Sequence, residues 1–253
     1  MIRLIILLFI CNSFLLISQN ADSTKRSKFA FGITASSDYC TGFPYTEPTP
    51  YGTTIYYNYT TKAKFGFSSG LNFQYNFCKR IGAELSILYS TKGEKVEVPT
   101  SIWITPNGVI DPSIPNSIYQ NGVYYSPKHN STYTYQFLEV PLKFNFYILN
   151  KRFKIFPSIG ASANLFIGKK TQTTYFYNDG STQTETSHEF NSNYIPKMNV
   201  ALIASIGCSY DLSPRLFIKL EPNFRSFIIP INELPVSSYL YSFGCNAGLY
   251  YRF

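Results

Sequence analysis

Apolar and polar side chains change places at nearly every step between positions 65 and 77. Phe65, Phe67, Leu71, Phe73, Tyr75 and Phe77 fall on one parity; Gly66, Ser68, Gly70, Asn72, Gln74 and Asn76 fall on the other. Successive side chains of a strand point to opposite faces, so this stretch predicts a two-faced strand and not a helix. It is also longer than the 9–11 residues a tilted strand needs to cross a bilayer.

Seven more segments repeat the pattern. Phe29–Ala35 and Ile81–Ser90 flank the first one, and Leu138–Ile148 alternates with Glu139, Pro141, Lys143 and Asn145. Phe153–Ile167, Val200–Tyr210, Leu216–Ile228 and Tyr239–Phe253 complete the set. The expected fold is all-β: eight antiparallel strands closed into a transmembrane barrel, the smallest even number common among outer-membrane barrels.

The connections follow the same plan. Short turns are expected at 78–80, 149–152 and 211–215, and long loops at 37–63, 91–132 and 169–193, with a shorter one near 229–237. Short turns on one rim and long loops on the other match short periplasmic turns and long extracellular loops.

Composition narrows the solvent on each face. Aromatic residues make up 18% of the chain and charged residues only 14%, against about 25% charged in soluble domains. The polar parity is rich in Gly, Ser and Asn, poor dressing for a water-facing surface. Its charges sit mid-strand and balance: Glu84, Glu139 and Glu221 against Lys143, Lys219 and Arg225. Buried charges are costly unless paired. The polar face is therefore expected inside, as a lumen network of these six residues, and the apolar face outside against lipid. Glu139 and Lys143 are expected to pair beside a bulge at Pro141, since proline removes a ladder donor.

Residues 1–19 are expected to be an export signal: Met1-Ile2-Arg3 is followed by an apolar run too short for a membrane anchor. Residues 20–27 would form a periplasmic segment and 28–253 the barrel. Beyond the signal, Cys40, Cys78, Cys208 and Cys245 fit no zinc spacing; they are expected to be small buried hydrophobes. Much of the net charge of +8 falls on the short-turn rim, with Lys28, Lys79, Arg80, Lys151, Arg152, Lys154, Arg215 and Arg252 among its cations. They are dispersed over separate turns, which argues against nucleic acid.

Candidate chemistry is sparse. Nucleophilic catalysis needs a base held beside its nucleophile. The two histidines, His129 and His188, are both expected in loops, and neighbours in Ser187-His188-Glu189 point apart on an extended segment. No catalytic, cofactor-binding or metal-ligating residue is expected. Tyr51, Tyr56, Tyr57, Tyr59, Tyr119, Tyr124, Tyr125 and Tyr133, in or near the long loops, could stack on sugars or a protein, or belong to an aromatic girdle.

The last residues resemble the C-terminal assembly signal of outer-membrane barrels, with Asn246, Gly248, Tyr251 and Phe253 at its fixed positions. Three internal segments resemble the PorT-like barrels of Bacteroidota. They are Glu84–Gly93; Phe137-Leu138-Glu139-Val140-Pro141-Leu142-Lys143-Phe144; and Pro157–Ser162. The resemblance implies an outer-membrane location, lipid around the barrel and the barrel assembly machinery as a partner in biogenesis. The function expected is a non-enzymatic anchor, scaffold or secretion accessory with a cell-envelope protein partner. A small pore and a barrel-rim hydrolase or acyltransferase are the alternatives.

Overall fold

The computed structural model describes residues 28–45, 60–99, 101–103, 118–120, 123–177, 179–190, 195–231 and 237–253. The expected export signal, the segment 20–27 and Tyr51, Tyr56, Tyr57 and Tyr59 lie outside them. Among the described residues thirteen strands occur in chain order: β1 (Phe29–Tyr45), β2 (Thr60–Asn76), β3 (Ile81–Val98), β4 (Ser101–Trp103), β5 (Ile118–Gln120), β6 (Val123–Ser126), β7 (Lys128–Phe146), β8 (Leu149–Asn150), β9 (Phe153–Phe176), β10 (Thr182–Glu189), β11 (Met198–Asp211), β12 (Leu216–Phe227) and β13 (Ser237–Arg252).

Eight of them close a ring. β1, β2, β3, β7, β9, β11, β12 and β13 pair antiparallel with their neighbours, and β13 returns to β1 from Ala30↔Arg252 to Tyr45↔Ser237. Hydrocarbon offers no partner to a bare N–H or C=O, so only a closed ladder can use strands to cross it. The fold is an eight-stranded antiparallel transmembrane β-barrel.

Burial confirms which face is which. Ile33, Leu71, Phe73, Ile87, Leu142, Ile159, Leu202 and Ile206 are exposed on the outside, whereas Ser68, Asn72, Ser86, Asn145, Ser158 and Asn164 are buried within. Aromatic pairs mark the edges of the lipid band. Phe29 meets Tyr75 at 4.8 Å near the short-turn rim, and Tyr39 meets Phe65 at 5.2 Å near the other. Such girdles sit at the two bilayer interfaces.

Several local expectations need correction. Pro141 makes no bulge. The β3–β7 register is the same at Leu85↔Leu142 and Leu88↔Glu139, with only the two rungs between them missing. On its other side Pro141 faces Ser162 in an unbroken ladder. Pro222 is handled alike, between Ser205↔Asn223 and Cys208↔Leu220. A single strand edge can lose its donor without a change of register. The true irregularities lie higher, at Gln136/Phe137 on β7 and Ala63/Phe67 on β2.

The long-loop side is also more ordered than expected. β9 and β10 form a hairpin through most of 169–193, and β1, β2, β3 and β7 run well past the lipid band. Above that band the outward residues of β9 become Lys170, Gln172 and Thr174. Alternation fades there because both faces meet water, while the Thr- and Tyr-rich sequence still favours a strand. The four described cysteines are free thiols, and among them only Cys40 is buried; Cys245 and Cys78 are exposed and Cys208 is intermediate. Cys208 and Cys245 fall on the outward parity and so face lipid, not a core.

Candidate functional site: the filled lumen and the extracellular sheet

Successive inward residues of β12 (Phe217, Lys219, Glu221, Asn223, Arg225 and Phe227) give the order of lumen layers from the periplasmic side upward. The floor is aromatic. Phe217 stacks on Tyr250 at 4.9 Å, and Tyr147 meets Phe156 at 5.3 Å. Beneath it Asp211 accepts hydrogen bonds from Lys154 Nζ, at 2.7 and 2.8 Å, and from Arg252. The Arg252 guanidinium lies 4.1 Å over the Phe217 ring. Two cations expected on the open rim, Lys154 and Arg252, are thus drawn under the barrel floor.

Above the floor lies a four-membered ionic ring. Lys143 Nζ is 3.0 Å from Glu84 and 2.7 Å from Glu221; Lys219 Nζ is 2.6 Å from Glu84 and 2.7 Å from Glu221. Each acid touches both bases, and Ser205 Oγ donates a further bond to Glu221 at 2.6 Å. Lys219 also sits 4.9 Å over the Phe156 ring. Alternating charges at these distances satisfy one another without water, the condition under which burial of charge is tolerated.

A second cluster occupies the next level. Arg225 Nη1 is 2.9 Å from Glu139, and Lys92 Nζ lies between Glu139 at 3.2 Å and Asp38 at 3.3 Å. Ser90 donates to Glu139 at 2.7 Å and Ser36 to Asp38 at 2.8 Å. All eight charged residues of the two clusters are at most 5% exposed. A void of about 10 Å³ between them, bordered by Asn72, Glu84, Lys143, Arg225 and Asn246, has room for roughly one water.

The structure thus divides the six expected lumen residues. Glu84, Lys143, Lys219 and Glu221 belong to the lower ring, Glu139 and Arg225 to the upper cluster. Glu139 and Lys143 do not pair with each other, because they stand at different depths on one strand and each finds partners across the lumen. Asp38 and Lys92 also belong to the upper cluster, just beyond the alternating segments expected at 29–35 and 81–90. The signal was present: Asp38 continues the parity of Thr34 and Ser36, and Lys92 that of Ser86 and Ser90.

An apolar layer caps the clusters. Tyr135, Phe137, Ile195, Ala201, Phe227, Ile231 and Leu240 pack together, all at most 5% exposed. Over it rises a sheet made by the upper parts of β3, β7 and β9, edged by β10. His129 belongs to β7, its ring 5.6 Å from that of Tyr175, and His188 belongs to the exposed β10, not to loops. Tyr133 lies under the Lys169 ammonium at 5.0 Å, while Tyr119 and Tyr124 are backbone register partners in the pairing of β5 with β6. At the hairpin tip the Ser181 hydroxyl and N–H hold the Asp179 carboxyl below its usual range.

On β13, Asn246 Oδ1 accepts from Arg225 Nη2 at 3.3 Å, and Gly248 lies close under the Tyr250 ring. Tyr251 and Phe253 face outward in an edge-on pair at 5.5 Å.

A closed ring of lipid-facing strands around a charged, filled interior defines an outer-membrane β-barrel protein. Residues 18–228 match the family described as outer membrane protein beta-barrel domain, and the chain belongs to that family. No curated protein matches the sequence. Among solved structures the chain is similar to Neisserial surface protein A, with 13% identity over 88% of this chain and 99% of that one and a TM-score of 0.40. Likewise OprG from Pseudomonas aeruginosa shares 11% over 92% and 99%, TM-score 0.41. The outer membrane protease OmpT from Escherichia coli shares 8% over 92% and 99%, TM-score 0.43. Resemblance this loose decides nothing about site or activity.

Proposed function

We infer that the protein is a closed, non-enzymatic barrel that anchors an extracellular binding sheet in the outer membrane, in the manner of a scaffold or accessory component. The observation that carries this reading is the filled lumen: an aromatic floor, two charge-balanced clusters and an apolar cap stand one above another across the bore. An eight-stranded barrel has an interior just wide enough for side chains to fill, and here they fill it. The histidines favour the non-enzymatic reading, for they stand on different strands, and Ser187 and Glu189 take the opposite face of β10 from His188.

Glu84–Gly93, Phe137–Phe144 and Pro157–Ser162 support a PorT-like type within the family. We assign lipid to the outward face, and the barrel assembly machinery to Asn246, Gly248, Tyr251 and Phe253 during biogenesis. A cell-envelope protein is the proposed working partner, and nucleic acid is not.

Purified protein in planar bilayers is expected to show no steady ion conductance at neutral pH. A reproducible open level would replace this reading with the pore.

A further inference from the structure

β10 is an edge strand of an unusual kind for an outer-membrane barrel. It pairs with β9 from Thr182↔Phe176 to Glu189↔Lys169 without a register shift, and among the described residues nothing pairs with its other edge. All eight of its residues are exposed. Proteins usually blunt such edges with charged side chains, lysine above all, with proline or with a bulge. Thr182-Gln183-Thr184-Glu185-Thr186-Ser187-His188-Glu189 has no lysine, proline or bulge, and its charges are the two carboxylates of Glu185 and Glu189, which repel an acidic strand and admit a basic one.

The strand is also held ready. Tyr177 N–H donates to the Ser181 carbonyl at 3.0 Å, and Gly180 takes a φ of 81° that suits glycine in a tight turn. Thr174 and Thr184 share a hydroxyl–hydroxyl bond at 3.0 Å, and Tyr177 OH donates to Gln183 at 3.0 Å. An edge fixed in extended geometry has already met much of the ordering cost of adding one more strand.

We propose that the outer edge of β10 is a docking site for an extended, basic peptide segment of another protein, which joins the extracellular sheet as an additional strand. This deepens the scaffold reading and rests on it. Charge selects the occupant. Gln183, Glu185, Ser187 and Glu189 share one face of β10, so the edge presents two carboxylates in alternate register. Lys169, opposite Glu189 on β9, turns its ammonium over Tyr133 instead. A partner with Lys or Arg at alternate positions would set opposite charges across the new ladder, and such pairs stabilise it.

A second copy in the same membrane is a poor occupant. Two barrels related by rotation about the membrane normal present the same edge with both strands running the same way, which an antiparallel ladder cannot use.

The test uses the full chain in lipid nanodiscs and a short synthetic peptide alternating lysine and threonine. Fluorescence anisotropy reads binding, and hydrogen exchange reads protection along 182–189. We expect saturable binding, with slowed exchange at β10. Methylating the peptide nitrogens of one alternate set should abolish binding, and methylating the other set should not, because only one edge of the peptide docks. The double variant E185K/E189K should bind about tenfold more weakly.

Unprotected β10, or equal binding by both methylated peptides, would overturn the proposal. So would a concentration-dependent dimer that excludes the peptide, which would give the edge to a second copy. The scaffold reading fails separately, on bilayer conductance: a silent β10 above a non-conducting lumen refutes the edge alone.

Discussion

Glu221→Gln is expected to be the most damaging polar substitution in the barrel, although it removes hardly any volume. Glu221 answers both Lys143 and Lys219, each at 2.7 Å, and also accepts from Ser205. With an amide in its place, two ammonium groups must share Glu84 in a site without bulk water. Breaking a buried pair strands the partner charge and costs about 3–5 kcal/mol, and here two partners are affected. Urea unfolding of the variant in detergent micelles or vesicles measures the loss.

Pairs of substitutions then map the clusters. Glu221→Gln with Lys219→Gln should cost less than the sum of the single changes, by about 1 kcal/mol or more, because the two groups touch. Glu139→Gln with Lys143→Gln should be additive to within about 0.5 kcal/mol. Those two side chains lie on one strand at a spacing of roughly 13 Å, and their partners belong to separate clusters. Coupling between Glu139 and Lys143, or its absence between Glu221 and Lys219, would contradict the division of the lumen into two levels.

That division marks where the sequence stops being informative. All eight strands and the sidedness of each were legible wherever lipid lay on one face, because hydrocarbon and a polar lumen force strict alternation. Past the lipid band water lies outside, the outward parity turns to Thr, Gln and Lys, and the pattern flattens although the strand continues. β10, above the band, is unreadable as a strand for this reason, whereas Asp38 and Lys92 lie no higher than the upper aromatic girdle and escape the pattern because Ser37 and Thr91 interrupt the apolar parity beside them. Partner choice was hidden by a different cause. Glu139 meets Arg225, and Lys143 meets Glu221, across a bore whose strand stagger sets which depths coincide; Glu84 reaches Lys143 as its register partner on the neighbouring strand. No spacing along one strand encodes that. The cysteines misled because alternation tells the face but not what covers it, so Cys208 and Cys245 face lipid where a core was expected.

The interior glycines carry the second large expectation. Gly70 stands on the inward parity of β2, where Ser68 and Asn72 have ordinary side chains. A Cβ added at Gly70 would lie 2.9 Å from Leu88 Cα and nearer still to the Ile87 carbonyl oxygen, both backbone atoms of β3. β2 and β3 are hydrogen-bonded there through Gly70↔Leu88 and Leu71↔Ile87, so neither can retreat without opening the ladder. In a membrane barrel an opened rung leaves polar groups facing lipid, which is costlier than in water. Gly70→Ala is therefore expected to lose about 3 kcal/mol, the upper end of ordinary overpacking. Gly244→Ala is the informative contrast. Its added carbon would press on the carboxylate of Asp38, a side chain and not a backbone. The expected damage is a displaced Asp38 and a weakened contact with Lys92, so Gly244→Ala should lose little further stability in a background already carrying Asp38→Ala, where the opposing side chain is gone. Gly70→Ala should lose as much in that background as in the wild type. Unfolding midpoints of the two single and two double variants decide it, and a Gly70→Ala protein as stable as the parent would show that the β2–β3 ladder can spread.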